Sequence, residues 1–131
     1  MKKDFRHIDT PFYYYDTALL KATLDAICAA IASQPNYYVH YAMKANANPK
    51  LMQLIREAGF GVDCVSGGEI RTAIAEGFEA DSIMFAGVGK SDWEIRLALQ
   101  LGIFSFNVES LAELEVIQEL AEQEQRIARV C

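Results

Sequence analysis

No stretch of this 131-residue chain approaches the roughly 18 consecutive apolar residues that a membrane span needs. Basic surface is scarce too. Twelve Lys and Arg face eighteen Asp and Glu, for a net charge of −6. Nucleic acid and anionic membranes both call for positive surface, so neither is expected as a partner. Cysteine is sparse, with only Cys28, Cys64 and Cys131 and no C-x-x-C spacing. No apolar run follows the charged Met1 to His7 segment, so no secretion signal is expected, and an odd cysteine count gives no disulfide framework to predict. Reduced thiols in a cytoplasmic protein are the expectation, and no metal site is expected. Proline occurs three times, and no low-complexity stretch or linker interrupts the chain, so no internal domain boundary is predicted. The hydrophobic fraction of 52% is enough for one globular core.

What is present is a rhythm. Apolar strand centres fall near Val39, Val62, Ile83, Phe104 and Ile127, about 22 residues apart. Helical signals fill the gaps. Leu20, Leu24, Ile27, Cys28 and Ile31 form an apolar stripe after a cap at Asp16 or Thr17. Ser66-x-x-Glu69, Ser91-x-x-Glu94 and Ser110-x-x-Glu113 read as three capping boxes. Gly59, Gly77 and Gly102 read as helix stops. Such βαβ repetition predicts a parallel α/β sheet. Two architectures share it, an open doubly wound sheet and a (β/α)8 barrel, and spacing does not separate them.

The densest stretch is Tyr37 to Pro49. It begins as an aromatic, β-branched strand and ends at Lys44. Asn48 and Pro49 supply the cap and first residue of the next helix. Lys44 therefore sits where a buried strand opens into a loop, the usual place for chemistry in parallel α/β proteins. It reads either as a solvent-facing lysine or as a partly desolvated amine able to attack a carbonyl. Polar groups and glycines collect at the later strand ends as well: Asp63, Ser66, Gly67, Gly68 and Glu69, then Gly87, Gly89 and Lys90, then Asn107, Glu109 and Ser110. A barrel would bring these onto one face, whereas an open sheet would spread them along an edge. Glu69 reads equally as the partner of Ser66 in a cap. His40 and Trp93 read as packing residues, as does Cys64, and Gly87-x-Gly-Lys90 reads as a tight turn or a site wall.

Tyr41-Ala42-Met43-Lys44-Ala45-Asn46 resembles the lysine motif of the fold-type III pyridoxal-phosphate enzymes. Asp63-Cys64-Val65-Ser66-Gly67-Gly68-Glu69 and Gly87-Val88-Gly89-Lys90 follow in the family's order and resemble its diaminopimelate decarboxylase branch. The resemblance runs from about Thr10 to Cys131. It implies the N-terminal half of a (β/α)8 TIM-like barrel of the alanine racemase type. Residues 11–15 would be a strand that pairs with a C-terminal β-domain absent from this sequence. Residues 17–131 would hold four βα units and the start of a fifth strand.

By the same resemblance, Lys44 holds pyridoxal 5'-phosphate as a Schiff base, and Asp63, Ser66 and Glu69 border the cofactor. The intact protein would decarboxylate meso-diaminopimelate to L-lysine and would be a homodimer. Another amino-acid decarboxylase or racemase on the same barrel, or a non-catalytic cofactor-binding relative, is the alternative. The 131 residues alone would leave two open sheet edges and a core strand layer apolar on both faces. They are expected to self-associate and to lack activity.

Overall fold

The computed structural model describes residues 4–131. Four strands form one parallel sheet: β1 (His40–Ala42), β2 (Gly61–Cys64), β3 (Ile83–Phe85) and β4 (Ser105–Phe106). The helices are α1 (Thr17–Ile31), α2 (Pro49–Glu57), α3 (Gly67–Ala75), α4 (Asp92–Leu101) and α5 (Leu111–Gln123). Strand order is β1-β2-β3-β4, so every strand lies beside its predecessor in sequence. A doubly wound sheet reverses direction at a switch point, whereas a barrel keeps adding strands on one side. The spatial order therefore settles the choice that spacing left open, in favour of the barrel.

The helix boundaries follow from capping. The Asp16 carboxylate accepts from the N–H groups of Ala18 and Leu19, and Asn48 accepts from Lys50 ahead of Pro49. Ser66 and Ser110 accept from the N–H groups of Glu69 and Glu113, each at 3.2 Å. Gly59, Gly77 and Gly102 adopt positive φ at the ends of α2, α3 and α4, a conformation that costs glycine little. Helix α5 ends the same way but on Gln125, at φ 51°.

The core lies between the helices and one sheet face. Val62, Cys64, Ile83, Phe85 and Phe106 meet Leu24, Ile55, Ile70, Ile95, Ile117 and Leu120 there. The expected stripe of α1 is the one that packs: Leu24 is buried, and Leu20, Ile27 and Cys28 are half-buried against this cluster. The opposite face is not apolar, contrary to expectation. Register places Ala42, Asp63, Met84 and Ser105 in one row across it. One layer of helices covers only one side, so the other side carries polar groups.

Two local expectations are corrected, and a third, residues 11–15, is left open. β1 is shorter than Tyr37 to Lys44, because Tyr37 and Tyr38 are exposed and unpaired with the sheet. Residues 11–15 are unpaired here, as expected of a strand whose predicted partner lies outside these 131 residues, so the pairing stays an expectation. Tyr15 instead accepts a hydrogen bond from Asn46 Nδ2 at 3.0 Å. The fifth strand is not centred on Ile127, which is 93% exposed. Gln125 is still completing the α5 cap, so the chain reaches the sheet later. There Phe106 N–H donates to Arg129 O, and Cys131 N–H donates to Phe106 O.

Candidate active site

Lys44 lies in a single 3₁₀ turn, Met43–Ala45, directly after β1. Its neighbour Met43 anchors this turn in the core, with Sδ 4.0 Å from Cys64 Sγ. Asn46 fixes the exit. Its side-chain oxygen accepts from Asn48 N–H at 2.9 Å, and its carbonyl accepts from the Tyr41 hydroxyl at 3.1 Å. The turn is thus held from both sides. Lys44 itself is exposed, and no hydrogen bond or ion pair engages it among the described residues.

Asp63 sits on the next strand, opposite Ala42 and so level with the approach to Lys44. Its Oδ1 is buried and has no hydrogen-bond partner among the described residues. A buried carboxylate oxygen without a donor costs free energy unless something supplies a hydrogen bond or a positive charge. Asp63 also acts on its surroundings. Burial pushes the Cys64 thiol up to about 12, and the charges of Glu69 and Asp63 push in the same direction. Cys64 is therefore an inert packing group. His40 lies over Gly61 on the same sheet face, its ring 5.6 Å from that of Phe104. Burial lowers its pKa, and the nearby Asp63 charge only partly offsets that.

The strand ends expected to converge lie side by side along the C-terminal edge of the sheet, but their side chains divide into two groups. Ser66 and Glu69 form the start of α3: Ser66 Oγ accepts from Glu69 N–H, and Glu69 Oε2 accepts from Val65 N–H at 2.8 Å. The Ser66 half of the expected capping box is therefore observed, whereas the Glu69 carboxylate holds the N–H of Val65 and not that of the Ser66 cap. Gly67-Gly68 is not an open anion cradle. Gly67 N–H already donates to Glu94 Oε1 at 2.7 Å, and a Cβ on Gly67 would fall 2.6 Å from the Trp93 ring. Trp93, as expected, is a packing group here.

Lys90 is structural. Its amine donates to the carbonyls of Gly87 and Asn107 at 2.9 and 2.8 Å and to Glu113 Oε1 at 2.5 Å. Its side chain is 1% exposed, so it ties the β3–α4 loop to the β4–α5 loop and to the first turn of α5. Sequence patterning missed this tie and the reach of Glu94 across to Gly67. The Ser-x-x-Glu pattern marks Glu94 and Glu113, but it reports only bonds within one helix.

A cleft of about 460 Å³ opens at the opposite, N-terminal ends of the strands, between Tyr38, His40, Gly61, Ser82, Phe104 and Arg129. It contains none of the strand-end groups. Parallel α/β barrels place chemistry at the C-terminal face, so Lys44 and Asp63 define the candidate site.

These features define a parallel α/β domain of the barrel type with an exposed lysine at its candidate site. Residues 21–131 match the pyridoxal-dependent decarboxylases, pyridoxal binding domain, and the chain belongs to that family. It is 63% identical to the diaminopimelate decarboxylase of Bacteroides thetaiotaomicron, over 96% of this chain and 33% of that protein. It is 38% identical to the L-glutamyl-[BtrI acyl-carrier protein] decarboxylase of Niallia circulans, over 95% of this chain and 29% of that protein. The crystal structure of diaminopimelate decarboxylase from Helicobacter pylori complexed with L-lysine superposes with a TM-score of 0.87. The identity there is 37%, over 96% of this chain and 32% of that one. The chain thus spans about a third of the length of the curated relatives it matches.

Proposed function

We propose that this chain is the lysine-bearing part of a pyridoxal 5'-phosphate-dependent decarboxylase. In this reading the enzyme converts meso-diaminopimelate to L-lysine and carbon dioxide in the cytoplasm, as a homodimer. The observation that carries it is Lys44, an exposed amine with no partner among the described residues, on a turn held from both sides and two residues beyond the strand position opposite Asp63, whose Oδ1 also lacks a partner among them. The residues present fit the cofactor. Lys44 is free to bond covalently to its aldehyde, and Asp63 has a buried acceptor awaiting a donor. Ser66 Oγ uses only its acceptor side in the cap, so its proton is available to donate. Glu69 supplies negative charge at the same strand end.

When bound, the cofactor supplies an electron sink for the pair left behind as the substrate carboxylate departs as carbon dioxide. The residues of the chain do the rest. Lys44 would hold the cofactor through its aldehyde and, with its amine free, would be placed to deliver a proton to the carbon that lost its carboxylate. The Asp63 carboxylate stabilises positive charge facing it. The Met43 anchor and the Asn46 turn keep the Lys44 amine in place.

Identity of 63% to a diaminopimelate decarboxylase supports this substrate. Similarity to the L-glutamyl-[BtrI acyl-carrier protein] decarboxylase supports a second reading, decarboxylation of another amino-acid substrate. In the full-length protein carrying this chain, Lys44→Ala should abolish both the visible cofactor band and release of carbon dioxide from meso-diaminopimelate. Normal turnover in that variant overturns the reading. Turnover of a different amino acid by the unaltered protein favours the second.

The 131 residues by themselves leave β1 with one free edge and the Arg129 to Cys131 segment with another. Unpaired edges recruit strands, so this chain should self-associate and release no carbon dioxide. Sedimentation as a monodisperse, active monomer would refute that.

A further inference from the structure

Glu94 lies on α4, outside the groups proposed to meet cofactor or substrate, yet its carboxylate joins two βα units. Oε2 accepts from the N–H and hydroxyl of Ser91, at 3.0 and 2.6 Å, within its own helix start. Oε1 accepts from Gly67 N–H at 2.7 Å, on the neighbouring α3. That amide is the first of α3, a position with no acceptor inside the helix, and Gly67 is buried. The two other capping glutamates behave differently. Glu69 and Glu113 each accept from the residue before their own cap, Val65 and Glu109. Only Glu94 among the three reaches another helix's first amide.

The fit is close. A Cβ on Gly67 would lie 2.9 Å from Glu94 Cγ as well as against Trp93, so α3 begins pressed onto the first turn of α4. From Gly67 a short series of bonds leads to the candidate site. Ser66 precedes it and caps Glu69, whose carboxylate holds Val65 N–H, two residues from Asp63.

We propose that Glu94 is a positioning residue for this site, fixing the Asp63–Glu69 segment through the Gly67 amide. The proposal rests on the cofactor-binding reading above. Its function is separable from ordinary capping, because the two jobs need different side chains. Asp at position 94 keeps the charge and can serve Ser91, but it is one methylene too short to reach Gly67. Gln keeps the length and an acceptor for Gly67, but it presents an N–H₂ group to the Ser91 N–H.

The test uses the full-length protein carrying this chain, loaded with pyridoxal 5'-phosphate and assayed with meso-diaminopimelate. Glu94→Asp should lower kcat about tenfold to a hundredfold, as expected for a displaced reacting geometry, with KM much less affected. Its bound-cofactor circular dichroism band should weaken. Glu94→Gln should stay within about fivefold of the parent, with the band intact, because the positioning bond survives. Ile55→Val, a core change on α2, should leave both readouts unchanged. The reverse order, with Asp normal and Gln impaired, would show a cap and no positioning role. Equal, parent-like behaviour of both Glu94 variants also overturns the proposal. Failure of the underlying reading looks different: Lys44→Ala would then keep the cofactor band and the turnover.

Discussion

Lys90→Met tests whether the tie from the β3–α4 loop to the β4–α5 loop and α5 carries the stability that its burial implies. Methionine preserves much of the lysine stem where it passes the Phe85 ring, 5.4 Å from the amine. It removes the charge and all three donated bonds. The Gly87 and Asn107 carbonyls then lose a donor, and Glu113 loses its cation. Glu113 retains one bond, from Glu109 N–H, but its side chain is only 11% exposed. A largely buried carboxylate is left uncompensated. Removing one partner of a buried pair costs about 3–5 kcal/mol, whereas an exposed pair is worth about 0–1 kcal/mol. Against a total stability of about 5–15 kcal/mol, the larger figure brings the variant near its unfolding threshold. Urea unfolding at neutral pH, with an unchanged m-value, reads the loss directly. The double variant Lys90→Met/Glu113→Gln should recover part of it, with a coupling energy of about 1–3 kcal/mol, since no unpaired charge then remains. A single-variant loss below about 1 kcal/mol, or strict additivity in the double variant, would refute the reasoning.

Gly67→Ala should cost about 1–3 kcal/mol, because its methyl group would overlap Trp93, and it should change the fluorescence of this sole tryptophan. An unshifted emission maximum would show that the contact is looser than described. Gln125→Gly should stabilise by about 0.5–1 kcal/mol, since a left-handed residue at the α5 end costs glutamine more than glycine, and thermal melting should rise accordingly. Acid should destabilise the fold in two stages. His40 has a folded pKa below its usual 6.5, so the unfolded chain binds the proton first, and stability present above that value is lost as pH falls through it. Glu94 is pulled up by burial, but the bonds from Gly67 and Ser91 outweigh this and hold its carboxyl low. Its contribution, present above its usual 4.5, is lost as pH falls further. His40→Asn should remove the upper stage from a pH titration of stability, and Glu94→Gln the lower. Unchanged profiles would remove these assignments.

The sequence by itself determined the elements and their order. Ser66, Ser91 and Ser110 start helices, and Gly59, Gly77 and Gly102 end them, because capping is chemistry between residues a few positions apart. The α1 stripe was legible for the same reason, since helical period puts Leu20, Leu24, Ile27 and Cys28 on one face. Lys44 was legible through its motif and its place after an apolar strand. Gln125 was not, because its left-handed turn lacks the glycine that marks such a stop. Tertiary structure alone decided the rest. Strand order, and with it the choice of a barrel, depends on which strands pair across the sheet, and every βαβ chain has the same local period. The Lys90 tie to Glu113 and the Glu94 reach to Gly67 join residues 23 and 27 positions apart. No local pattern encodes such contacts, because they exist only after neighbouring βα units have packed. The orphaned oxygen of Asp63 belongs with them: its lack of a partner is a property of what surrounds β2 in space, which its neighbours in sequence do not state.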